Sequence, residues 1–123
     1  MTVKFKDILD AEKALGKLSQ ERLPVRQSVA LARLIKKLNE ELQIFNDQRE
    51  KLLIQYGEYK ENEGGYLVPK ESLEAFSKDF NILLGGTCEL GGEKIKITLQ
   101  KDSTIEAAVI LGCENFCEFE EEE

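Results

Sequence analysis

One helical pattern runs without interruption from Val25 to about Gly57, with apolar residues at coiled-coil spacing, and it limits the folds open to this chain more than any other feature. Leu31, Ile35, Leu38, Leu42, Phe45, Leu52 and Tyr56 step alternately by four and three, once Arg49 occupies one seam position. A repeat of about 3.5 residues asks for a partner helix along its length. At 1.5 Å per residue such a helix runs roughly 50 Å, whereas a compact domain of this size has a radius of gyration of about 14 Å. The helix therefore either protrudes or is covered by another chain.

The length of 123 residues, 41% hydrophobic and 33% charged, suits one small domain with a modest core. We expect a single α+β domain over 1–119 and an acidic tail over 120–123. No run approaches the roughly 18 apolar residues of a membrane span, and Met1-Thr-Val-Lys-Phe-Lys-Asp7 lacks the apolar region of a signal peptide. A cytoplasmic chain without a membrane partner is expected. Three cysteines, an odd number, read as free thiols in a reducing compartment rather than a disulfide framework.

Charge is divided unevenly. The net charge of −7 splits into +3 over residues 1–57 and −10 over residues 58–123, with Glu114, Glu118 and Glu120 to Glu123 crowding the end. Such a terminus keeps a small protein soluble, or docks on a basic partner. Nucleic acid is a poor partner, since phosphate neutralisation needs a basic face.

Along the chain, Phe5, Ile8, Leu9, Ala11, Ala14, Leu15 and Leu18 mark a first amphipathic helix from Phe5 to about Gln20. Pro24 fits the first turn of the long helix, and the short connection makes the two helices antiparallel neighbours. Gly57 offers the positive φ of a helix C-cap. Asn62 to Gly65 reads as a hairpin or exposed loop, with Tyr66-Leu-Val68 returning as a strand. A third helix from about Lys70 to Leu84 buries Leu73, Phe76, Phe80, Leu83 and Leu84. The alternation of Ile95, Ile97 and Leu99 with Lys94, Lys96 and Thr98 reads as a strand, and Gly91-Gly92 as the hairpin turn pairing it with Thr87 to Leu90. Asp102-Ser-Thr104 offers an N-cap for a last helix containing Ile105, Ala108, Val109, Gly112, Cys113 and Phe116, although Ala-Ala-Val-Ile-Leu111 also suits a buried strand. The expected core draws on Ile8, Leu15, Leu31, Ile35, Leu38, Leu42, Phe45, Leu73, Phe76, Phe80, Ile95 and Ile97.

No catalytic signature stands out. Gly85 to Lys94 is glycine-rich, but Glu93 interrupts the Gly-Lys of a phosphate-binding loop and a strand follows. Cys113 and Cys117 lie one helical turn apart and Cys88 is a third thiol, yet a closed zinc site wants four ligands and the chain has no histidine. Cys113 reads as a small core residue and Cys117 as partly exposed. Histidine's absence also removes the commonest general base near neutrality. We expect no catalytic, metal or cofactor site. Arg22, Arg26, Arg33 and Lys37 recur on part of one helix face, either as a solvated surface or as a grip for phosphate or carboxylate. Arg49 either snorkels to water or fixes register in a helix assembly.

The run from Leu23-Pro24 to Gln55-Tyr-Gly-Glu58, followed by Glu74-Ala-Phe-Ser-Lys-Asp-Phe-Asn-Ile-Leu-Leu84, resembles a family of small, functionally uncharacterised proteins of tailed bacteriophages and prophages. The resemblance covers residues 20 to 100 or so, and leaves out the cysteine-bearing, glutamate-rich end. It implies a phage origin and a host-cytoplasmic location. Two functions follow as expectations. One is a non-enzymatic interaction protein that forms a homo-oligomer or clasps a protein partner through the seam Leu31, Ile35, Leu38, Leu42, Phe45, Arg49, Leu52 and Tyr56, with a virion assembly component as a variant. The other is a binder of a small anionic ligand, a nucleotide signal of host defence, held by Arg22, Arg26, Arg33 and Lys37 with Tyr59 or Tyr66 as stacking partner.

Overall fold

Periodicity and punctuation place the three main helices. A computed structural model describes residues 1–122. Strand β1 (Thr2–Lys4) leads directly into α1 (Phe5–Leu18), and α2 (Val25–Tyr56) follows a short turn. Asp7 accepts a hydrogen bond from the Lys4 amide at 3.2 Å, satisfying one donor at the start of α1. Phe5, Ile8, Ala11, Leu15 and Leu18 form the buried stripe of α1. At 32 residues α2 spans about 48 Å. No helix among the described residues is long and apolar enough to cross a membrane.

Beyond α2 come β2 (Glu58–Lys60), a 3-10 turn at Glu61–Glu63, β3 (Gly65–Leu67) and α3 (Lys70–Leu84). Strands β2 and β3 pair antiparallel, as the polar loop between them suggested. Gly57 differs from expectation: its φ is −97°, extended rather than left-handed. Glycine is needed there for space, because a Cβ would stand 2.4 Å from the Leu53 carbonyl oxygen.

The C-terminal third is β4 (Thr87–Glu89), β5 (Ile95–Leu99), α4 (Ala107–Gly112) and β6 (Cys117–Glu121). Here the local turn signal misled. Gly91 and Gly92 do adopt φ of 71° and 68°, yet they separate strands that pair elsewhere: β4 runs antiparallel to β1, and β5 runs parallel to β6. A parallel partner requires a crossover, and α4 supplies it. The last helix is accordingly only six residues, starts at Ala107 rather than at the Asp102-Ser-Thr104 cap, and releases Phe116 into a turn. The acidic end is likewise not a free tail. Glu120 and Glu121 lie opposite Thr98 and Leu99 in the ladder, and the Glu122 amide donates to the Leu99 carbonyl at 2.9 Å. Glu123 lies outside the described residues.

The architecture is α+β: among the described residues, four α-helices and three two-stranded pairs. One core joins α1, the first two-thirds of α2, α4 and strands β1, β4, β5 and β6, with Ile8, Leu18, Leu31, Ile97, Cys113 and Phe116 almost fully enclosed. From this body an arm extends, made of the last turns of α2, the β2–β3 hairpin and the first turns of α3, while Phe80, Leu83 and Leu84 at the end of α3 pack back against the core. A row of aromatic rings links the two. Phe5, Phe45, Phe80, Phe76 and Tyr56 follow one another at centroid distances of 5.6, 6.0, 5.8 and 6.3 Å, within the range where ring pairs attract.

Candidate functional site: the arm and its exposed apolar residues

The seam expected to meet another chain divides at Phe45. Leu31, Leu38, Leu42 and Phe45 are buried in this chain's own core, together with Leu34. They are therefore unavailable to a second subunit in this fold, which corrects the expectation for that stretch. Ile35 sits at the rim, half-buried, because the core stripe of α2 runs through Leu34 instead. A helix facing α1 on one flank and β5 on the other needs a wider apolar stripe than a coiled-coil seam. Arg49 points to solvent.

Past Phe45 the helix loses the body's cover. Leu52 and Tyr56 are half-buried, and α3 supplies what cover there is. Tyr56 donates its hydroxyl to Asp79 Oδ2 at 2.5 Å. That bond, then burial, raises the phenol above its ordinary pKa. The arm's apolar content is poorly enclosed: α3 has no buried residue at all. Phe76 and Phe80, expected in the core, are half-buried, and Leu73 is 49% exposed. Ile82 is 66% exposed on the opposite side of α3, and Ile54, Tyr59 and Leu67 are also exposed. A helix pair one layer thick cannot bury its stripe without a further layer.

The basic residues form a different surface. Arg22, Arg26, Arg33 and Lys37 are all exposed at the N-terminal half of α2 or just before it. Lys37 Nζ donates to the Leu90 carbonyl at 3.3 Å. Tyr59 and Tyr66 pair edge to face, 5.5 Å apart, on the hairpin beyond the other end of the helix. Arg33 and Gly57 are separated by about 36 Å of helix at 1.5 Å per residue. No single nucleotide reaches from the arginines to the tyrosines, so the expected stacking site is not assembled.

The thiols are core groups. Burial pushes Cys88 up to about 11, helped by its hydrogen bond with Glu41. Burial alone takes Cys113 to about 11. Cys117, expected to be partly exposed, is buried, and burial together with the neighbouring Cys113 pushes it up to about 12. Thiols held this far above neutrality are poor nucleophiles. Among the described residues no three potential ligands converge on a metal position. A shallow groove of about 280 Å³ runs between α1 and α2, floored by Ile8, Leu15, Leu38 and Leu42 with Glu12 and Asn39 on its rim. It brings no acid and base together.

The arm's surface was only partly legible. The helical spacing of Leu73 from Phe76 and Phe80 sets it on the core stripe, but spacing does not say whether a second layer exists. Ile82, off that stripe, was the available signal. No protein-family model, curated protein or solved structure matches this chain.

Proposed function

We propose that this chain is a non-enzymatic interaction protein that associates with a second copy of itself through the arm. Two α2–α3 hairpins packed about a two-fold axis make a four-helix bundle, in which the stripe from Leu52 to Tyr56 and from Leu73 to Phe80 gains the layer it lacks. The observation that carries this reading is the 15-residue helix α3 with no buried residue, with Leu73 exposed on the stripe that also holds Phe76 and Phe80. The raised thiols and a histidine-free sequence favour binding over catalysis. The resemblance to proteins of tailed phages and prophages supports a phage origin and action in the host cytoplasm. A role in virion assembly is a variant of the same reading.

Hydrogen exchange measured at low and high protein concentration tests it. Association through the arm slows exchange in α3 and the β2–β3 hairpin as concentration rises, and leaves α1 unchanged. Exchange independent of concentration, or slowing confined to other elements, refutes it.

A further inference from the structure

Strands β5 and β6 form an isolated parallel pair, and its two edges are treated differently. In the register Ile95↔Cys117 to Leu99↔Glu121, Ile95 donates to the Phe116 carbonyl at 3.0 Å and Glu122 donates to the Leu99 carbonyl at 2.9 Å. In a parallel ladder that phasing turns the backbone groups of alternate residues toward the partner. Glu118, Glu120 and Glu122 thus face β5 with their amides, while Phe119 and Glu121 turn N–H and C=O outward. Among the described residues no strand pairs with that outer edge. The opposite edge, on β5, is met by α2 at Thr98. The Thr98 amide donates to Gln27 Oε1 at 2.7 Å, and Gln27 Nε2 donates to the Thr98 hydroxyl at 2.9 Å. A side-chain amide from α2 takes the place of a strand on one edge only. Two strands alone are marginal.

Charge selects the occupant. Glu118, Glu120 and Glu121 fall within the five residues of β6, Glu122 follows, and all four are exposed. Glu118 and Glu120 share the sheet face that carries Lys96 and Thr98, and Glu120 accepts a hydrogen bond from the Thr98 hydroxyl at 2.9 Å. A second copy adding its own β6 would bring four carboxylates against four, and like charges directly opposite destabilise a strand pair. Charged edges of this kind block self-pairing. An extended segment with lysine or arginine at alternate positions meets the same edge with matching charge.

We propose that the open edge of β6 binds an extended basic segment of another protein by strand addition. Phe119 and Glu121 supply the main-chain ladder, and Glu118 and Glu120 select lysine or arginine on the solvent face. The site lies outside the arm and does not depend on the association proposed there.

A fluorescein-labelled peptide of alternating lysine and threonine tests this by anisotropy. It is compared with its glutamate–threonine counterpart and with a lysine–threonine peptide N-methylated at every second amide, which keeps the charge but cannot complete a ladder. The expected result is binding of the first peptide alone, weakened by salt, with Phe119 and Glu121 amide resonances shifting and that of Thr98 unmoved. Glu121→Pro removes one outward N–H while leaving the amides that bond β5 intact. It should weaken binding about tenfold, the effect of one main-chain hydrogen bond. Equal binding of the N-methylated peptide means charge attraction without strand addition and overturns the proposal. So does equal binding of the glutamate peptide, no binding of any peptide, or a dimer that Glu121→Pro dissolves. If Glu121→Pro fails to fold, the peptide comparison on the unaltered chain still decides.

Discussion

Gly112 ends α4 where it crosses α1, and a side chain there has no room. A Cβ at this position would stand 2.6 Å from the Cβ of Ala14. Carbon atoms in contact settle about 3.5–4.0 Å apart, so Gly112→Ala must part the two helices by about 1 Å or bend the shorter one. Gly112 is not among the glycines with positive φ, so backbone strain adds nothing. Helix propensity favours the alanine by up to about 1 kcal/mol, while overpacking costs about 1–3 kcal/mol. The net loss expected is about 1–2 kcal/mol, a sizeable part of a typical domain stability of about 5–15 kcal/mol. Ala14→Gly alone should cost about 1 kcal/mol through propensity. In the double variant the clashing methyl is gone, so the two losses do not add; the coupling should equal the relieved overpacking, about 1–3 kcal/mol in favour of the pair. Urea titrations of the four proteins followed by circular dichroism, with a common slope, give the cycle. Additivity within about 0.5 kcal/mol, or a Gly112→Ala protein more stable than its parent, would refute the close crossing of α1 and α4.

Three further outcomes are expected. Gln27→Ala leaves the half-buried Thr98 amide unpaired, which should cost about 1 kcal/mol or more and speed hydrogen exchange at Thr98; unchanged exchange would show that the side chain does not close β5. The three thiols are raised to about 11, 11 and 12 in the folded chain, so the stability they confer is complete below the unfolded thiol value of about 8.5 and is lost as pH rises through the folded values. Iodoacetamide at mildly alkaline pH should accordingly label none of them until urea unfolds the chain, and fast labelling of any one would contradict their burial. Glu89 is held down to about 2, first by the Thr2 hydroxyl, then by the Gly91 amide and the Met1 amine. Its contribution is present above its ordinary value of about 4.5 and lost as pH falls through about 2, so Glu89→Gln should flatten the acid side of the stability profile; an unaltered profile would place Glu89 in water.

What the sequence disclosed was what local signals encode. Helices α1, α2 and α3 could be placed from apolar spacing bounded by Pro24, Pro69 and the glycines, because a helix makes its hydrogen bonds within itself. The β2–β3 hairpin was visible for the same reason. Pairings across long stretches of chain leave no such trace. Gly91-Gly92 has the conformation of a hairpin turn, yet β4 goes to β1 some 85 residues away, and only the fold decides that. The alternation Cys117-Glu-Phe-Glu120 was present but hidden in a glutamate run that reads as a tail. Burial along α2 shows the limit most clearly. The seam from Leu31 to Phe45 is apolar enough for either a subunit interface or an internal core, and the deciding factor, whether α1 and β5 cover it, lies outside the helix.

The arm is where the interaction reading succeeds or fails. Light scattering after size exclusion, at several concentrations and two salt strengths, gives the absolute mass of the chain and of its Leu73→Glu variant most directly. Association through the arm gives a dimer or larger species that survives salt, since apolar contact is little screened, and a Leu73→Glu protein that is folded but monomeric. A parent that stays monomeric at every concentration, or a Leu73→Glu variant with undiminished mass, would contradict association through the arm.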